Sequence, residues 1–191
     1  MKSTNDTKQK LIDTTRQMID NGGINSVSMR EIGNMVQLSR SATYRHFKSK
    51  EDLLAAIVLE DFCMLKNGIC DLINGIDEHE KIVEAILRYY YDFGVRHRDH
   101  YRLMFGDELK KEQYTDIHYA AFEIFKIVTN SIAKTQEQKR VIRKPSEELT
   151  AIAYAFIHGL VELNLAGHYE SEKGLDAPYN LIHSFWGMLL V

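Results

Sequence analysis

Two prolines and two cysteines in 191 residues leave this chain few helix breakers and no means of stapling a fold. Long stretches also lack period-two apolar alternation, so sheet is not expected and the reading is all-α. Cys63 and Cys70 fall seven residues apart on one expected helix, about 10 Å along its axis. That is beyond the reach of a disulfide. Reduced, structural thiols are the default reading, with redox sensing the minor alternative. No apolar run approaches the ~20 residues that span a bilayer. The opening Met1-Lys-Ser-Thr-Asn-Asp-Thr-Lys8 has no apolar core of a secretory signal. Together these give the expectation of a cytoplasmic protein without membrane contact.

Catalytic signatures are missing as well. There is no G-x-G-x-x-G, P-loop, G-x-S-x-G, H-E-x-x-H or C-x-x-C, and no Glu has a His three residues later. No enzyme activity, metal or cofactor is expected. His97 and His100 have the i, i+3 spacing of a chelating pair, but a solvated helix junction is the commoner meaning. His158 and Glu162, at i, i+4, read equally as a hydrogen-bonded core pair or as ligand-orienting groups.

An excess of positive charge is also absent, since the net charge is −3. Its distribution is uneven, however. Residues 1–50 carry nine Lys/Arg against four Asp/Glu, a balance of +5. The remainder has fifteen basic and twenty-three acidic residues, a balance of −8. A basic head on an acidic body is the footprint of a small nucleic-acid-binding domain on a partner-binding one. Chance clustering of solvated charge is the bland alternative.

The head contains the most informative stretch. Residues from about Asp6 to Asn21 form a first helix with Leu11, Ile12, Thr15, Met18 and Ile19 inward, stopped by Asn21-Gly22-Gly23. Ser28 and Glu31 have the spacing of a capping box. Ile32, Met35 and Val36 then give a short helix one apolar face. Ser39 is a good N-cap for a second short helix, largely polar and basic, that carries Arg40, Ser41, Thr43, Tyr44, Arg45 and His46 and closes at Phe47. A basic helix propped on an apolar one is what a helix-turn-helix needs to offer donors to a DNA groove.

The run Ser39-Arg-Ser-Ala-Thr-Tyr-Arg-His-Phe-Lys-Ser-Lys-Glu-Asp-Leu-Leu54, with the upstream Gly22-Gly23-Ile24 to Ile32 segment, resembles the signature of the TetR family of bacterial transcriptional regulators. The likeness covers about the first quarter of the chain; beyond it only length and helical layout match. Gln37 and Ser41 stand where that family usually or often has Gly. A non-Gly residue in the turn at Gln37 must accept a positive φ at a cost of roughly 1 kcal/mol. The resemblance implies phosphate contacts from Tyr44, His46 and Lys50, helped by Ser28 and Ser39 at helix N-termini. Arg30, Arg40, Ser41, Thr43 and Arg45 are the candidates for base edges. Phe47, Ala42 and Leu38 are expected to pack.

Domains are expected at 1–50 (helix-turn-helix) and 51–191 (effector binding and dimerisation), with about nine helices in all. Ser49 and Asp52 start a long helix that keeps phase to about Asn74-Gly75. Body helices follow at about 79–97, 100–109, 115–135, Pro145 to Gly167 and 179–191, with Tyr169 to Pro178 as a loop. Those last two helices hold more apolar surface than a small domain needs. Pairing them with a second copy would bury the surplus, with Leu160, Trp186, Leu189 and Leu190 as anchors. A homodimer would also match a palindromic duplex operator.

The body is rich in aromatic residues. Tyr90, Phe93, His97, Tyr101, Met104, Phe105, His118, Phe122, Phe125, Tyr154 and His158 have the composition of a largely apolar small-molecule pocket. Taken singly, each is more often plain core. The resemblance favours an effector cavity, hence a ligand-responsive repressor. The alternatives are a DNA-binding regulator without effector and, behind it, a helical metal protein or enzyme.

Overall fold

The computed structural model describes residues 4–107, 109, 113–168 and 170–191, with side chains from residue 6 onward. Among them are nine α-helices: α1 Thr4–Gly22, α2 Met29–Met35, α3 Arg40–His46, α4 Lys50–Ile73, α5 His79–Arg96, α6 Arg98–Phe105, α7 Thr115–Glu137, α8 Ser146–Leu165 and α9 Pro178–Gly187. The only β pairing among the described residues is a single bridge between Val141 and Leu190. The all-α expectation holds, and helix ends fall within a few residues of their sequence signals. The helix expected at 100–109 stops at Phe105, short of residue 108, which lies outside the described residues. So does Tyr169, the first residue of the expected loop. From residue 170 that loop contains a 3₁₀ turn at Ser171–Lys173. No helix of the described residues is long and apolar enough to cross a membrane.

The chain forms two compact units, one of residues 1–62 and 99–118, the other of residues 63–98 and 119–191. The first takes in α1 to α3, the first half of α4 and nearly all of α6. Leu11, Ile19, Ile32, Leu53, Ile57, Tyr101 and Leu103 are fully buried there. Each such aliphatic or aromatic side chain stabilises by about 1.5–3 kcal/mol. Gly23, in the left-handed region at φ 69°, ends α1 as its sequence suggested. Thr15 is a polar residue with no exposure; its hydroxyl donates to the Leu11 carbonyl at 2.7 Å, which removes the cost of burying it.

In the second unit α5 packs against α8 and α9. Leu65, Ile69, Ile86, Val161, Ile182 and Trp186 form its centre. A Cβ on Gly68 of α4 would lie 1.8 Å from the Tyr89 hydroxyl, so only glycine admits that close packing. Cys63 and Cys70 are free, half-buried thiols.

Candidate nucleic-acid interface and aromatic site

The turn between α2 and α3 is built on one strained and one missing side chain. Gln37 adopts φ 59°, the left-handed conformation expected of its position. Gly33 of α2 faces α3, and a Cβ there would meet the Thr43 Oγ1 at 2.6 Å. The α2 backbone at Gly33 therefore packs directly against the Thr43 side chain of α3. Ser39 caps α3, accepting from the Ala42 amide at 3.2 Å, and its Oγ lies 3.1 Å from that of Ser41.

With α3 fixed in this way, Arg40, Ser41, Tyr44 and Arg45 are exposed along it. The Arg40 guanidinium lies over the Tyr44 ring at 5.7 Å, which orders both groups at the surface. Arg30 of α2 is exposed too, and His46 is half-buried. Lys50 donates its ammonium to the Ile24 carbonyl at 3.3 Å.

Three expectations need correction. Thr43 does not reach a base edge: it is 1% exposed, fills the space that Gly33 leaves, and donates to the Ser39 carbonyl at 3.2 Å. The capping box does not form, because the Ser28 side chain makes no cap hydrogen bond. Met35, expected on the apolar face of α2, is 58% exposed.

The aromatic candidates divide between the units. In the first, Tyr101 and Met104 are fully buried, with Phe105 4.7 Å from Tyr101 and 5.5 Å from Phe62; His118 is exposed. In the second, rings follow one another across three helices. Tyr90 of α5 lies 5.3 Å from His158 of α8, and His158 lies 4.1 Å from Tyr154. Phe125 and Phe122 of α7 follow at 6.4 Å and 6.2 Å. Phe93 packs on His97 at 4.9 Å. The series runs from the buried Tyr90 to Phe122, exposed at 44%.

The Tyr90 hydroxyl meets His158 Nε2 at 2.9 Å. Burial pushes the His158 imidazole down to about 4 and raises the Tyr154 phenol, so both are neutral near pH 7. These rings present an uncharged, polarisable surface with a few hydrogen-bonding atoms.

Of the four expected dimer anchors, Trp186 has no surface to offer a partner. It is 1% exposed and donates Nε1 to the Glu80 carbonyl of its own chain at 2.6 Å. Leu160 is buried at 8%, while Leu189 and Leu190 are half-buried. Exposed hydrophobic side chains on and after α8 and α9 include Ile152, Tyr154, Leu163, Tyr179, Met188 and Val191, beside exposed Ala151, Ala155 and Gly159.

Sequence reasoning also passed over Asp61, Arg16 and Glu60, which meet in the first unit. Burial alone would lower the Arg16 guanidinium, but Asp61, with Glu60, more than offsets that and holds it above its ordinary value. The missed signal was phase: Asp61 stands four residues from both Ile57 and Leu65, on the apolar stripe of α4.

A short α3 with an exposed basic and polar face, seated on α2 through Gly33, defines a helix-turn-helix protein. Its N-terminal segment, residues 11–57, matches the model of bacterial regulatory proteins of the tetR family, and residues 83–183 match the tetracyclin repressor-like C-terminal domain. The chain belongs to the TetR family. It is 34% identical over 89 residues to the TetC protein of transposon Tn10 from Escherichia coli, a match covering 45% of each chain. It is 31% identical over 91 residues to the HTH-type transcriptional regulator UidR of Escherichia coli strain K12, covering 47% of this chain and 46% of that one. The aligned stretch thus spans about half the length of these relatives.

Solved structures share the fold over nearly the whole chain. A protein of unknown function from Rhodococcus sp. RHA1 superposes with a TM-score of 0.83 at 17% identity, covering 97% of this chain and 96% of that one. The fatty acid degradation regulator FadR from Bacillus halodurans gives 0.73 at 14% identity, with the same coverage.

Proposed function

We propose that this protein is a DNA-binding transcriptional regulator that grips a palindromic duplex operator as a homodimer and is released by a small, largely apolar effector. The observation that carries the reading is the exposed face of α3, where Arg40, Ser41, Tyr44 and Arg45 stand together on a helix locked by Gly33 and Ser39. Arginine is the commonest specific reader of guanine, and Tyr44 can reach a phosphate. The +5 balance of residues 1–50 supplies the non-specific attraction. Pairing is supported by the exposed Ile152 and Leu163 on α8 and Met188 just after α9. An uncharged effector is supported by the neutral rings of Tyr90, Tyr154 and His158.

The test is selection from a pool of random duplexes, followed by titration of the recovered sequence against salt. A palindrome with salt-dependent affinity is expected. Arg40→Ala should relax sequence preference, whereas Lys50→Ala should weaken all duplexes alike and lower the salt slope by about 1. Recovery of no preferred duplex would refute the reading.

A further inference from the structure

Asp61 of α4 has no exposed surface and is bound from two sides. Its Oδ1 accepts from Arg16 Nη1 of α1 at 2.5 Å, and its Oδ2 faces His100 Nδ1 of α6 at 2.8 Å. Arg16 also donates through Nη2 to Glu60 at 3.1 Å and to the Ile57 carbonyl at 3.4 Å. On its other edge His100 points Nε2 at Asp20 Oδ1 of α1, 3.4 Å away. Charged groups from α1 and α4 thus surround an imidazole on α6: Arg16 and Asp20 from the first, Asp61 and, behind Arg16, Glu60 from the second.

The hydrogen atoms can be assigned from these contacts. A neutral imidazole has one N–H. The Asp61 carboxylate needs a donor at Oδ2, so the hydrogen sits on Nδ1. The Nε2 lone pair then faces the Asp20 carboxylate, acceptor against acceptor. A proton on Nε2 turns that repulsion into an ion pair. The Arg16 Nη1, 3.5 Å from Nδ1, opposes the added charge, while Asp61 and Asp20 favour it.

We propose that this cluster is a proton-dependent clasp between α6 and α1, with Asp61 and His100 as positioning residues of operator binding. The inference rests on the DNA-binding reading above. α1 packs on α2, and α2 seats α3 through Gly33, so the hold on α1 bears on how firmly the recognition helix is presented. Protonation at Nε2 adds a bond from α6 to α1 and stabilises the arrangement described here. Operator affinity therefore rises on acidification. Asp20 is 64% exposed, so the gain is modest, about two- to five-fold.

Fluorescence anisotropy on the selected duplex, at constant ionic strength and several pH values, compares the full-length wild type with Asp20→Asn and His100→Asn. Contributions from groups other than Asp20 and His100 are common to all three proteins and cancel. The wild type is expected to gain two- to five-fold more affinity on acidification than either variant. His100→Asn keeps an amide donor at the Nδ1 position; if it fails to fold, the exposed Asp20→Asn carries the comparison alone. Equal pH dependence in the wild type and Asp20→Asn overturns the clasp while leaving the regulator reading intact. Absence of a selected duplex at every pH overturns that reading and the clasp with it.

Discussion

Gly33→Ala should change sign according to the residue at position 43. Alanine in place of glycine inside a helix stabilises by up to ~1 kcal/mol. Against this, the added Cβ would lie 2.6 Å from Thr43 Oγ1. That hydroxyl is buried and donates to the Ser39 carbonyl at 3.2 Å. Rotating it away strands a buried polar group, at ~1–3 kcal/mol. Spreading α2 from α3 instead costs a similar ~1–3 kcal/mol for overpacking. Either route outweighs the propensity gain, and Gly33→Ala is expected to destabilise the wild type by about 1–2 kcal/mol.

In a Thr43→Ala background the offending atom is gone. The next neighbour that remains is the Leu38 carbonyl oxygen at 3.5 Å, an ordinary contact. The same Gly33→Ala change should then stabilise by about 0.5–1 kcal/mol. Urea unfolding of the four proteins by far-UV circular dichroism closes the cycle, provided the denaturant slope is constant. If Gly33→Ala has the same sign in both backgrounds, the close α2–α3 contact does not govern this turn.

Three further outcomes can be measured. Gln37→Gly should relieve the left-handed strain and stabilise by about 0.5–1 kcal/mol, raising Tm by a few degrees, whereas a lowered Tm would contradict the φ of 59°. Asp61→Ala should cost about 3 kcal/mol in urea unfolding, the low end for a broken buried ion pair because Arg16 keeps Glu60; a loss below ~1 kcal/mol would mean the cluster contributes little. For His158, held down to about 4 against an ordinary 6.5, the unfolded chain alone binds the proton between those values. Stability should thus fall as pH drops through that window, by about 2–3 kcal/mol, and His158→Phe should flatten this limb. An unchanged acid limb in the variant would show that His158 is not buried as neutral imidazole.

Sequence reading succeeded where one local signal decides local structure. Ser39 and Ser49 looked like N-caps and accept from Ala42 and Asp52; Gln37 stood in a glycine position and has a glycine-like φ. It failed where a residue's fate depends on a partner far away or on another helix. Thr43 was placed at the DNA by its polarity, but bonding to its own helix lets it be buried, and the vacancy it fills belongs to Gly33. Trp186 looked like a partner's anchor because its neighbours are apolar, yet a carbonyl of α5, 106 residues away, holds it inside its own chain. Asp61 was passed over because a carboxylate on an apolar stripe acquires meaning only once Arg16 and His100 are seen beside it.

The position of that tryptophan has a practical consequence. It is the sole tryptophan in the sequence, and it sits in the core of the second unit, with none in the first. Its emission is therefore a private reporter on one half of the molecule, whereas far-UV dichroism sums helices from both. Coincident melting by the two signals would mean that the units unfold as one cooperative system. A dichroic change that precedes the fluorescence change would show the reading head coming apart while the body still stands.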